Sequence, residues 1–221
     1  ILAQGQVLLT TKYQQTKLAC FRTVTINHMV GLVDIKSKTG FTLNGDWRDR
    51  ELNLLDQVVT RYRQAGMPIP FPFPVTITLE NAGRNCLVNG KTICLTASGL
   101  TTWTLCHELA HAWDAANNWQ LSKAMRRATK SGFQWRLIHR WRPAWKFFWY
   151  HVGSPPPPCG VDKHFNAIED FAEAVTAYLY PEEASKRASE RGMPYKKWGY
   201  THFHDTPRGK FIRELIRKQE E

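Results

Sequence analysis

Nowhere in this chain do about eighteen apolar residues run together, so no segment reads as a transmembrane helix. No Cys-x-x-Cys pair exists among Cys20, Cys86, Cys94, Cys106 and Cys159, which argues against a thiolate zinc site or a thioredoxin-like motif. Internal repeats are absent, and low complexity is confined to the prolines. Acidic residues are scarce: 19 Asp and Glu stand against 30 Lys and Arg, a net charge of +11. That imbalance favours an anionic surface or an acidic partner, with nucleic acid ranked below these, or else serves solubility alone. The chain begins at Ile1 rather than Met, as a processed or trimmed product does.

With 43% hydrophobic residues over 221 positions, a core can form without disulfide support. "CLVNGKTIC" sets Cys86 and Cys94 around Asn89-Gly90, the strongest short hairpin signal. A Cys86–Cys94 disulfide is expected across that hairpin, and with it a secreted or otherwise extracytoplasmic location. "FRTVTINHMV" and "GLVDIKS" read as β-forming runs within an irregular start. "DRELNLLDQVVTRYRQAG" spaces Leu52, Leu55, Val58, Val59 and Tyr62 as one helix face. Met67–Pro74 is a proline-rich connector, followed by a strand at Val75–Leu79.

Ser98 or Thr101 caps a helix running to about Asn117. The basic, aromatic stretch after it is expected to be helical and broken before Pro143. "NAIEDFAEAVTAYLY" reads as a helix closed by Pro181, and "TPRGKFIRELIRKQEE" as a final helix starting at Pro207. Sheet first and helices after predict an α+β chain: residues 1–74 as an N-terminal β-containing region with a backing helix, and 75–221 as the functional region of one continuous domain. The protein is expected to be a monomer.

"HELAHAWD" places His107 and His111 four apart on one helix face. That spacing lets two imidazoles reach one zinc ion. Glu108 lies about 100° further around the helix and can act on water as a general base without ligating. This is the physical content of the H-E-x-x-H pattern. A third ligand must come from elsewhere. "AIEDFAEAV" offers Glu169 and Glu173, one turn apart on a helix whose other positions are mostly apolar. Glu169 suits a ligand, and Glu173 suits the free N–H of a ligand histidine. Asp114, seven after His107, is a further supporting candidate.

"HELAHAWD" followed by "EDFAEAVTAYL" resembles the gluzincin metallopeptidases, and among them those with an anthrax-lethal-factor-like catalytic domain. The resemblance covers roughly 75–217 if the terminal "P..KFI.ELI" helix is counted. It implies a zincin-like fold, a small β-sheet followed by an active-site helix and a glutamate helix. It also implies His107, His111 and Glu169 as zinc ligands, Glu108 as catalytic base, Glu173 as supporting acid, and a protein or peptide substrate. Members of this kind often place a tyrosine shortly before the ligand glutamate, to stabilise the oxyanion. Here the stretch reads "CGVDKHFNAIE". His164 is the nearest donor, with Tyr150, Tyr178 and Tyr200 as others.

The expected activity is zinc-dependent endopeptidase. The alternative is a weak or inactive zincin that serves as a binding module. For that role, Trp119–His151 interleaves Trp119, Trp135, Trp141, Trp145 and Trp149 with Lys123, Arg126, Arg127, Lys130, Arg136, Arg140, Arg142 and Lys146. Such a mixture suits an interaction surface for anionic or acidic partners.

Overall fold

A computed structural model describes residues 34–69, 71–81, 83, 85–130, 132–138, 146–152, 166–190 and 200–220. Residues 86–88, 132–138, 146–152, 188–190, 200–201 and 219–220 are described by backbone alone. The order is α1 (34–39), β1 (Thr42–Gly45), α2 (Asp49–Gln64), β2 (Thr76–Glu80), β3 (Cys86–Val88), β4 (Thr92–Thr96), α3 (Thr102–Ala116) and α4 (Gln120–Thr129). Then follow β5 (Gly132–Ile138), β6 (Lys146–Val152), α5 (Ala167–Leu179), α6 (Pro181–Glu190) and α7 (Pro207–Glu220).

The sheet runs β1-β2-β4-β3, with the first three strands parallel and β3 antiparallel at the edge. Because β1 and β2 are parallel, the chain must cross over between them, and α2 makes that crossing. Leu52, Leu55, Val58, Val59 and Tyr62 of α2 are buried, as the periodicity predicts. Alternation sets Ile77 and Leu79 of β2 beside Ile93 and Leu95 of β4, all four buried. Gly45 is forced by close approach: a Cβ there would meet Leu79 O at 2.2 Å. Asn89 and Gly90 both take positive φ, 51° and 69°, which these two residue types tolerate best. The hairpin therefore forms where the Asn-Gly pair stands.

Helix α3 follows β4 and touches both β3 and β4, and α5 packs along α3. Helices α4, α6 and α7 pack in turn on α5. One hydrophobic cluster runs from Ile35 to Ile216, so residues on both sides of position 74 share a core. The architecture is mixed α+β with a small, largely parallel sheet. No helix among the described residues is long and apolar enough to cross a membrane.

Two expectations are corrected. Residues 34–39, within and after "GLVDIKS", are helical rather than β. Ser37 and Thr39 hydroxyls donate to the carbonyls of Asp34 and Ile35, Lys38 pairs with Asp34 one turn away, and within 34–37 only Ile35 is buried. The stretch after α4 is not helical but a hairpin, β5 paired antiparallel with β6, Trp135 opposite Trp149. Phe133, Trp135, Phe147, Phe148, Trp149 and Tyr150 are residue types that favour strands, and pairing the two runs satisfies both backbones. Pro181 ends α5 as expected and also opens α6.

Candidate metal centre

Thr101, not Ser98, caps α3, its hydroxyl accepting from Thr104 N at 3.1 Å. Leu105, Leu109, Ala112 and Trp113 are buried around the helix, and His111 is buried with them while His107 is partly so. On the far side Tyr62 Oη donates to Cys106 O at 2.8 Å, tying α3 to α2. Cys106 itself is a buried thiol whose pKa burial pushes up to about 12, which leaves it protonated and unsuited to metal ligation.

Helix α5 begins with Asn166, whose side-chain oxygen accepts from Ile168 N at 2.8 Å and Glu169 N at 3.1 Å. Glu169 thus occupies the third helical position, where a glutamate often reaches back to the cap residue's own N–H. Here its carboxylate turns to the histidines instead. Helices α3 and α5 pack side by side, and Trp113 packs on Phe171 with centroids 5.7 Å apart.

His107 Nε2 lies 3.1 Å from Glu169 Oε2 and 3.0 Å from His111 Nε2, and His111 Nε2 lies 3.5 Å from Glu169 Oε1. Three ligands about 2.0–2.1 Å from one ion in tetrahedral array stand roughly 3.3 Å apart. The three side chains therefore form a group that can hold a metal ion. Two further observations fit one. A pair of imidazole nitrogens at 3.0 Å needs a proton or a cation to share. Glu108, 6% exposed, has its Oε2 buried with no hydrogen-bond partner among the described residues.

Glu173, 1% exposed, sets its Oε1 3.3 Å from Nδ1 of His107, the supporting position expected for it. Burial works against charge on His107, but hydrogen bonds with Glu169 and Glu173 outweigh it and raise its pKa to about 10. Burial pushes Glu169 up, yet its hydrogen bonds with His107 and His111 win and hold the carboxyl well below the usual range. Glu108 is shifted upward, chiefly by burial. These opposed shifts mark the cluster as one electrostatic unit.

Asp114 has a different role from the one expected. Its Oδ1 accepts from Leu121 N at 3.0 Å and Ser122 N at 3.1 Å, capping α4, and among the described residues neither of its oxygens meets a histidine. His164 lies outside the described residues, as do the side chains of Tyr150 and Tyr200. Tyr178 packs on His204 near the far end of α5, nine residues or about 13 Å along the axis from Glu169, so it does not belong to the cluster. Cys86 faces Cys94 in register, but the side chain of Cys86 is outside the description, and so is the expected bridge.

Two positioning features were not anticipated. Asn166 is visible in hindsight as an Asn three before an acid. Asp170, one residue after Glu169, receives Arg208 of α7 in a two-point ion pair at 2.7 and 3.1 Å, both side chains fully buried. Comparison with protein-family models, with curated proteins and with solved structures gives no match.

Proposed function

We propose that this chain is a zinc-dependent endopeptidase, with His107, His111 and Glu169 as ligands and Glu108 as general base. One observation carries the reading: two histidines and a carboxylate converge from α3 and α5 beside Glu108, whose buried Oε2 has no hydrogen-bond partner among the described residues. Two imidazoles and one carboxylate are a donor set that suits catalytic zinc. A zinc ion held there supplies a Lewis acid for a scissile carbonyl and lowers the pKa of water.

The chain's own groups do the rest. Glu173 takes up Nδ1 of His107, which leaves Nε2 as the nitrogen presented to the ion. Glu108 Oε2 accepts a proton from the attacking water and returns it to the leaving amine, so the peptide bond opens to an acid and an amine. Burial raises the pKa of Glu108 and so makes it a stronger base than an exposed carboxylate. Glu169, with 38% of its side chain exposed, lies where the cluster meets solvent and a substrate can approach. The resemblance of "HELAHAWD" and "EDFAEAVTAYL" to the gluzincins supports the same reading, including a zincin-like fold.

Metal analysis paired with a peptide-library digest tests the proposal. The wild type is expected to carry one zinc ion and to cleave. Glu108→Ala is expected to keep fold and zinc and to lose at least about 10²–10⁴-fold in turnover. Near-normal hydrolysis by that variant would sink the mechanism. A wild type that binds zinc and cleaves nothing would point instead to a non-catalytic binding module.

A further inference from the structure

Helix α4 contains no acidic residue. Lys123, Arg126 and Arg127 recur at i, i+3 and i+4 on α4 and form a ridge that ends at Lys130, the C-cap residue with φ of 50°, and all four are exposed. Ser122 and Met125 on the other side are buried. Helix α7, which packs against α4, exposes Lys210, Arg213, Arg217 and Lys218. Glu214 of α7 is exposed too and pairs with Arg217 at 3.0 Å, so among the described residues the cations of these two adjoining helices that have no acidic neighbour are mainly those of α4.

The entry to α4 is unusual. Asn118 and Trp119 both take left-handed backbone, with φ of 54° and 59°. A bulky residue rarely adopts this conformation, and such outliers cluster at functional positions. Trp119 is held there because its N–H donates to Asp114 O at 2.8 Å and its carbonyl accepts from Ser122 Oγ. The turn therefore keeps a half-buried tryptophan at the N-terminal end of α4, where an asparagine would fit with less strain.

We infer that this ridge, with Trp119 at the N-terminal end of α4, is a docking surface for an anionic phospholipid bilayer. Cations on a helix lying flat attract lipid phosphates, and an indole is at home at the boundary between headgroup and acyl chain. A straight ridge of about 10 Å meets a plane along its whole length, whereas single-stranded nucleic acid is held in grooves with several aromatic platforms. The inference does not depend on the peptidase reading, although it gives that reading a setting. Asp114 joins α3 to the start of α4, so a bilayer under α4 would fix the orientation of the helix that carries His107 and His111.

Cosedimentation of the full chain tests this, with vesicles of phosphatidylserine mixed into phosphatidylcholine set against phosphatidylcholine alone. The wild type is expected to prefer the anionic vesicles and to lose that preference as salt rises. The quadruple variant K123Q/R126Q/R127Q/K130Q, at about fivefold per cation, is expected to bind on the order of 10³-fold more weakly, with unchanged metal content and melting temperature. Trp119→Asn, which accepts the left-handed turn, is expected to weaken binding to the same vesicles and leave salt sensitivity in place. Equal binding of the wild type to both vesicles, or a quadruple variant that binds like wild type, would overturn the inference. So would tighter binding to heparin or to a single-stranded oligonucleotide than to vesicles, which would make the ridge a site for a soluble polyanion.

Discussion

Glu173 and His107 are joined at 3.3 Å through Nδ1 of the imidazole, on the edge of the ring away from its 3.1 Å contact with Glu169. The two carboxylates differ in what they touch. Glu169 reaches both histidines, and Glu173 reaches the rear nitrogen of His107. Glu169→Ala is therefore expected to strip most of the metal, and Glu173→Ala to lower metal affinity about 10–100-fold without abolishing it. Chelator competition and elemental analysis measure both. One ion per chain in the Glu169 variant would show that the third ligand is elsewhere.

Metal binding should release a proton. In the metal-free chain His107 has a pKa raised to about 10, so it is charged at neutral pH. A raised pKa contributes stability that is full below the ordinary value near 6.5 and is lost as pH climbs through about 10. Glu169 runs the other way: its contribution is present above the ordinary carboxylate pKa and lost as pH falls through its depressed folded value. Between those limits the ion must displace the His107 proton. Titration calorimetry at pH 7, in buffers of different ionisation enthalpy, should report about one proton released per ion. Uptake of protons, or none exchanged, would contradict the charged state of His107.

The Asp170–Arg208 pair fastens α7 to α5 one residue beyond Glu169. Removing either side chain takes the two-point ion-pair partner from a fully buried charge. Arg208→Ala is expected to destabilise the fold by about 3–5 kcal/mol, seen as a lower denaturant midpoint. The double variant D170A/R208A should cost less than the sum of the single changes. Additive losses would mean that the two side chains contribute separately.

Strands β3 and β4 place Cys86 and Cys94 directly opposite each other. A bridge there would close a short loop and contribute about 2–3 kcal/mol. Mass spectrometry of a nonreduced digest of protein from its native compartment should show the two peptides joined. Alkylation of both thiols before reduction would remove the reason to expect an oxidising compartment.

Most of the candidate centre could be read from the chain because its chemistry is spaced by the helical turn. His107 and His111 are one turn apart, and so are Glu169 and Glu173, so each pair is legible locally. The hairpin at Asn89-Gly90 was legible for a similar reason: the turn itself restricts which residues can stand there. Relations across long sequence distances were not. Nothing near Asp170 announces Arg208, 38 positions away. Asp114 has the right helical phase for a histidine, but its carboxylate instead accepts two N–H groups of the next helix. The stretch from Gly132 to Val152 failed differently. Its basic and aromatic composition alone reads as helical, while its pairing depends on a partner strand that no local pattern specifies.

Gly209 follows the buried Arg208 and cannot carry a side chain in this packing. A Cβ there would lie 2.1 Å from Phe203 O and 2.7 Å from His204 Cα. Pro207 opens the helix, Arg208 locks it to Asp170, and Gly209 lets it seat. In evolutionary terms the three positions are a single character. A lineage that keeps Asp170 buried should keep Arg-Gly together, and one that loses the arginine is released from the glycine as well. Divergent relatives should therefore be recognisable by the joint retention of an Asn-x-x-Glu-Asp start and a Pro-Arg-Gly start, even where the residues between have drifted beyond alignment.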